Sequence, residues 1–184
     1  MYRFGIDIDD TITNTTEKIL EYAKKLNLLD KASGVDLVNF KQERLEEYRG
    51  FLEKYIDEVL DSCTVKENAV YVINNLKSQG NKIYIITARN DCYSKNTIDI
   101  TTKFLERNNI LYDDIIFNQE SKKEICEKKK IDYMIDDNIS IYNSLVGTKT
   151  KPILFEKDLT KNLDVVKVNN WLDVMNLIGG DNSE

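Results

Sequence analysis

Histidine is absent from the 184-residue chain. Histidine-based triads, histidine-ligated zinc and histidine general bases are thereby excluded, so any catalysis must rest on carboxylates, Lys, Tyr, Thr or a metal ion. Cysteine is scarce. Cys63, Cys92 and Cys126 are odd in number, far apart and form no C-x-x-C pair, which argues against a disulfide framework or a thiolate zinc site. Three reduced, mostly buried thiols are expected. No apolar run approaches the roughly 20 residues that cross a bilayer. The opening Met1-Tyr2-Arg3-Phe4-Gly5 enters a strand-like run without the n- and h-regions of a signal peptide, so a cytoplasmic protein without membrane association is expected. Long basic blocks are lacking too. The net charge is −6, and the one local run, Lys128-Lys129-Lys130, reads as a solvated helix end whose cations complement the dipole. A nucleic-acid polymer is therefore not an expected partner.

What is present is ordinary for a globular domain: 41% apolar and 32% charged residues, with length for one core and a small accessory lobe. Short apolar runs alternate with helical patterns, which predicts an α/β fold, a Rossmann-like parallel sheet with helices on both faces. The predicted strands are Tyr2–Ile8, Lys82–Thr87, Ile115–Asn118, Asp132–Ile135, Ile153–Phe155 and Val165–Val168. Predicted helices cover Asn68–Ser78, Ile98–Asn108, Ser121–Lys129, Ser140–Val146 and Leu172–Ile178, with Gly80 as a helix stop and a frayed tail over Gly179–Glu184. One connection is anomalous. About 55 residues separate the first strand from the helix before the second, far more than a βα loop needs. Leu45, Tyr48, Leu52, Tyr55 and Val59 recur at helical steps, as do Ile19, Leu20, Ala23 and Leu26, with a break at Asp30–Gly34. Residues 14–65 thus read as a helical lobe inserted into a core formed by residues 1–13 and 66–184.

Four polar clusters follow predicted strands or open a helix: Asp7-Ile8-Asp9-Asp10-Thr11, Thr87-Ala88-Arg89-Asn90, Lys122 (or its neighbour Lys123), and Asp136-Asp137-Asn138. Taken singly, each is explained by a helix cap, a turn or a surface lysine. Together they bring carboxylates, a hydroxyl and a cation to one rim, where ligands bind in open α/β sheets. Carboxylates a few ångström apart stay ionised together only beside a hard cation, and an all-oxygen donor set suits Mg²⁺. One carboxylate could attack phosphorus and a second could shuttle the proton, while Thr and Lys stabilise the transferring group.

In this order the motifs D-x-D-x-T, strand-T, K and strand-D-D resemble those of haloacid dehalogenase superfamily phosphatases, over nearly the whole chain. The resemblance implies that Asp7 is nucleophile and Mg²⁺ ligand, and that Asp9 is the general acid/base and offers its backbone carbonyl to the metal. Thr87 and Lys122 would hold the phosphoryl group, Asp136 would bind the metal, and Asp137 would lie against it directly or through water. Asp10, Thr11, Ala88 and Arg89 would line the substrate site, Asp10 standing where many members have Gly. Lys122 fits the family spacing to Asp136 better than Lys123 does. The insertion resembles a type-one helical cap. Asp-Ile-Asp-Asp-Thr, Thr-Ala-Arg and Ile-Asp-Asp are similar to the nucleotidase-like branch related to 5'(3')-deoxyribonucleotidases, so the partner implied is a small phosphorylated metabolite such as a nucleoside monophosphate. The aromatics Phe40, Tyr48, Phe51 and Tyr55 fit either a helical core or a base-stacking surface. Arg89 fits either a second anionic group of the substrate or an acidic neighbour at the rim. A receiver module uses similar residues, but with the acidic pair first, and lacks the insertion. A catalytically quiet relative and a phosphotransferase remain as alternatives to a hydrolase.

Overall fold

The computed structural model describes residues 1–29, 37–156 and 164–180. Its centre is β1 (Arg3–Ile6), short because Phe4 and Ile6 are both fully buried and the polar cluster begins at once afterwards. A Cβ on Gly5 would lie 2.7 Å from Met134 Sδ and 3.0 Å from Ile86 Cδ1, so any larger residue would have to displace those buried side chains. The other strands are β2 (Lys82–Ile86), β3 (Asp114–Ile116), β4 (Tyr133–Asp136), β5 (Lys151–Phe155) and β6 (Lys167–Val168). They form one sheet in the order β3-β2-β1-β4-β5-β6, and every pairing is parallel. Such an order reverses direction between β1 and β4, which opens a crevice above the carboxyl ends of those two strands.

Pro152 sits inside β5 without disturbing it. Lys151 donates its N–H to the Asp132 carbonyl on the β4 side, and pairing with β6 begins only at Leu154. Proline's missing donor therefore faces a stretch with no ladder to break. Around the sheet lie α4 (Ala69–Ser78), α5 (Thr97–Arg107), α6 (Lys123–Lys129), α7 (Ile139–Leu145) and α8 (Trp171–Gly180). Gly80 ends α4 with φ +87°, as expected of a left-handed helix stop. Most observed ends differ from the expected ones by a few residues, the usual uncertainty of a pattern that fades at element ends.

Between β1 and β2 the chain forms α1 (Thr15–Lys25), α2 (Leu37–Glu43) and α3 (Leu45–Ser62). These helices enclose a separate apolar cluster built on Ile19, Ala23, Phe40, Tyr48, Phe51 and Val59. The chain leaves and re-enters side by side. Thr13 bridges Val65, Asn14 N–H donates to the Thr64 carbonyl at 3.1 Å, and Lys66 N–H donates to the Ile12 carbonyl at 2.8 Å. Three expectations need correction here. α2 was not anticipated, being too short for its apolar residues to show a period. Leu45 is 43% exposed rather than on the buried stripe, because it opens α3 before the helix reaches the cluster. Cys92 is exposed, unlike the buried Cys63 and Cys126. The expected break at Asp30–Gly34 and residues 181–184 of the expected frayed tail lie outside the described residues. No described helix is long and apolar enough to cross a membrane.

Candidate active site

The loop after β1 is shaped by one carbonyl. The Ile8 oxygen accepts from the backbone N–H groups of Thr11, Ile12 and Thr13 and from the Thr13 hydroxyl, which wraps the chain back over the strand end. Asp10 adopts φ +57°, a left-handed conformation that Asp tolerates better than most residues. Its carboxylate is engaged at the start of α1, where it accepts from the Thr16 N–H at 3.0 Å and from the Thr16 hydroxyl. Thr11 is fully buried, and its carbonyl accepts from Trp171 Nε1 at 3.1 Å. The Thr11 hydroxyl has no partner among the described residues.

Asp7 emerges beside β4, its N–H bonded to the Ile135 carbonyl at 3.0 Å. Lys122, the cap residue of α6, donates Nζ to Asp7 Oδ1 at 2.5 Å and to Asp136 Oδ2 at 2.7 Å. All three side chains are under a tenth exposed. The structure thus brings Lys122 to the rim and leaves Lys123 exposed. Asp136 Oδ1 is held by the Asn138 N–H at 2.9 Å, and Asn138 in turn caps α7 through the Ser140 N–H at 2.8 Å. Thr87, fully buried at the end of β2, is fixed by backbone bonds to Ile116 and Gln119 and accepts the Arg89 N–H on its hydroxyl at 3.2 Å. Ala88 is exposed at the crevice edge.

Burial dominates the electrostatics. It pushes the Asp7 carboxyl well above its ordinary range, against the pull of Lys122 and with repulsion from Asp136 and Asp9 adding to it. Asp137, half-buried, is raised to about 7 by burial and by repulsion from Asp136, Asp10 and Asp9. Asp9 goes the other way. Burial opposes its ionisation, but Arg89 and a hydrogen bond from Thr15 outweigh that and hold it below the usual carboxylate range. Arg89 donates from Nη2 to Asp9 at 2.7 Å, which is the second of the two contacts expected for it. A site in which both Asp7 and Asp137 resist ionisation is short of positive charge. Oxygen atoms of Asp7, Asp136 and Asp137 lie within 4.8 Å of one another, a donor set that fits a hard divalent cation such as Mg²⁺.

A cavity of about 310 Å³ opens between the rim and the helical insertion, walled by Asp9, Asp10, Arg89, Tyr48, Tyr93 and Lys41 among others. Of the aromatics read from the sequence, Phe40 and Phe51 are buried in the helical cluster and only Tyr48 reaches this wall. Sequence reasoning missed Tyr93, Thr15 and Thr101. Thr15 and Thr101 lie on helices whose period marks only the apolar face, Tyr93 lies in a loop, and only the folded chain sets them against the rim.

This architecture is the haloacid-dehalogenase-like α/β fold. Solved structures of that fold align along nearly the full length: a predicted phosphatase from Clostridium acetobutylicum, with TM-score 0.65 and 16% identity over 98% of this chain and 99% of that one, and magnesium-bound YfnB from Bacillus subtilis, with TM-score 0.61 and 13% identity over 96% and 98%. Two proteins provisionally named nucleotidases are similar in sequence. One, from Oceanobacillus iheyensis, is 27% identical over 95% of this chain and 98% of its own length. The other, from Bacillus cereus, is 27% identical over 96% and 97%. No protein-family model matches the chain.

Proposed function

We propose that the protein is a magnesium-dependent phosphomonoester hydrolase acting through an aspartyl-phosphate on Asp7. The observation that carries this reading is the buried Lys122 ammonium bridging Asp7 and Asp136 at 2.5 and 2.7 Å, with the Asp137 carboxylate beside them. A structural ion pair needs one carboxylate per lysine, whereas this cluster gathers several acids around one cation at the strand ends where α/β enzymes bind ligands.

In the proposed reaction Asp7 attacks phosphorus in line with the ester oxygen, and Asp9 gives that oxygen a proton as the bond breaks. Water then attacks the acyl-phosphate, Asp9 takes its proton, and Asp7 and inorganic phosphate are released. Lys122 and the Thr87 hydroxyl offset charge on the phosphoryl oxygens. A Mg²⁺ held by Asp7, Asp136 and Asp137 would supply charge neutralisation for the phosphate as it approaches these carboxylates. Residues 14–65 act as the cap that closes the cavity and sets specificity. The names carried by the two bacterial relatives support a nucleoside monophosphate as substrate.

Phosphate release from nucleoside monophosphates, sugar phosphates and an aryl phosphate, each with Mg²⁺ and with EDTA, tests the proposal. Mg²⁺-dependent turnover favouring one nucleotide is the expected result. Turnover of the aryl phosphate alone would keep the chemistry and reject the nucleotide. Silence from folded, metal-loaded protein would reject the hydrolase.

A further inference from the structure

We propose that Arg89 is a positioning residue for Asp9, anchored by Thr101, and that it touches neither the phosphoryl group nor the organic part of the substrate. The inference rests on the reading of Asp9 as the proton-transfer group. Arginine beside a phosphate site ordinarily invites assignment to substrate binding, because its planar fork matches anions. Here the face of the fork that would meet an anion is already turned on Asp9. Nε donates to both Asp9 oxygens at 3.2 and 3.1 Å, and Nη2 donates to Oδ1 at 2.7 Å. Nη1 points the other way and donates to the Thr101 hydroxyl on α5 at 3.0 Å. Every guanidinium nitrogen therefore has a protein partner, and the residue is only 7% exposed.

The mount is rigid as well. Arg89 N–H donates to the Thr87 hydroxyl, and its carbonyl accepts from the Asn118 N–H at 2.9 Å, so the main chain is tied to the ends of β2 and β3. Thr101 is fully buried. Asp9 needs such a mount. Its side chain is 36% exposed on the open side of the crevice and is repelled by the neighbouring carboxylates, so it would otherwise swing outward. Thr15, the first residue of α1, donates its hydroxyl to the same Asp9 Oδ1 at 2.6 Å and adds a second anchor. A proton-transfer carboxylate anchored by two residues keeps the geometry that proton exchange with the ester oxygen and the attacking water requires.

The test is a set of kinetic measurements on Arg89→Met, Arg89→Lys and Thr101→Val, each in the wild-type and Asp9→Asn backgrounds. The expected result for Arg89→Met is a fall in kcat of about 10²-fold at unchanged KM. Arg89→Lys should recover part of that loss, and Thr101→Val should show a smaller fall of the same kind. In the Asp9→Asn background Arg89→Met should cost nothing more, since a residue acting through Asp9 has nothing left to position. Should Arg89→Met not fold, the other two variants carry the same comparison. As a readout independent of turnover, Arg89→Met should bind vanadate with Mg²⁺ as tightly as wild type in thermal-shift titrations. A raised KM with kcat intact, losses that add in the double variant, or weakened vanadate binding would each overturn the proposal while leaving the hydrolase standing. A wild type silent on every phosphomonoester would overturn both.

Discussion

At the strand ends this protein buries charge, while in the insertion a few residues further along the chain it buries rings. Asp7, Lys122, Asp136 and Arg89 are all under a tenth exposed; Lys122 pairs with Asp7 and Asp136, and Arg89 pairs with Asp9. Phe40, Tyr48 and Phe51 pack with centroids 5.4 to 6.4 Å apart, around a cluster with no buried ion pair among the described residues. Close-packed apolar surface is what stabilises a small helical unit, and burying several like charges costs stability unless something offsets them. The rim is therefore the region where the fold gives up stability, and the insertion is where it regains some. That contrast is what a functional site held by a scaffold looks like.

The sharpest break of the comparison is Asp7→Asn. It removes the proposed nucleophile and should cost at least about 10³-fold in turnover. Because a neutral amide also relieves repulsion at a carboxyl that burial already disfavours, the melting temperature should hold or rise. An unfolded variant, or one with near-normal turnover, would contradict the assignment. Phe40→Ala should do the reverse. Deleting a fully buried ring should destabilise the insertion by about 3–5 kcal/mol, read as a lower melting temperature or a separate early transition. The carboxylates proposed to hold magnesium should be untouched, so a metal-induced thermal shift should survive at temperatures where the insertion is folded.

Asp9→Asn should lower turnover by on the order of 10²-fold with both regions still folded, since it alters the proposed proton-transfer group and no apolar contact. The smallest effect is the most diagnostic of buried charge. Asp137 titrates near 7 in the folded protein and near its ordinary 3.8 when unfolded, so between those values the native state holds the extra proton. Stability of the metal-free protein should accordingly fall as pH rises from about 4 to about 7. Mg²⁺ competes with that proton, so its stabilisation should grow over the same range, reaching about 2.7 kcal/mol at a hundredfold excess over Kd. Melting curves with Mg²⁺ and with EDTA from pH 5 to 8 check this. Identical curves would remove the cation from the rim.

The helical parts were unequally legible. α3 announces itself because its apolar residues recur over many turns, and Tyr48, Leu52 and Val59 of that stripe are indeed buried, with Tyr55 partly so. α2 has too few turns for a period to register, and its existence depends on Leu37 and Phe40 finding the cluster. The strands were legible as apolar runs in a parallel sheet, but their ends were not, since β3 is only Asp114–Ile116 and β6 only Lys167–Val168. At the rim, each polar cluster is a local string of residues directly after its strand or at the head of a helix, so chain order together with the family resemblance nominated Asp7, Asp9, Lys122, Asp136 and Asp137. Family spacing favoured Lys122 over Lys123. The same order says nothing of Thr101, which the folded chain sets against Arg89.

By itself the sequence determined the alternation of strand and helix, the absence of histidine chemistry and the oxygen-rich set of candidate side chains. These are properties of residue type and short-range period, which survive in an unfolded chain. Only the tertiary structure decided that Lys122 rather than Lys123 turns inward, that Arg89 is consumed by Asp9 and Thr101, and that Tyr48 and Tyr93 share a cavity wall. Those outcomes depend on the register and order of strands distant along the chain, which place side chains together through packing that no local pattern encodes.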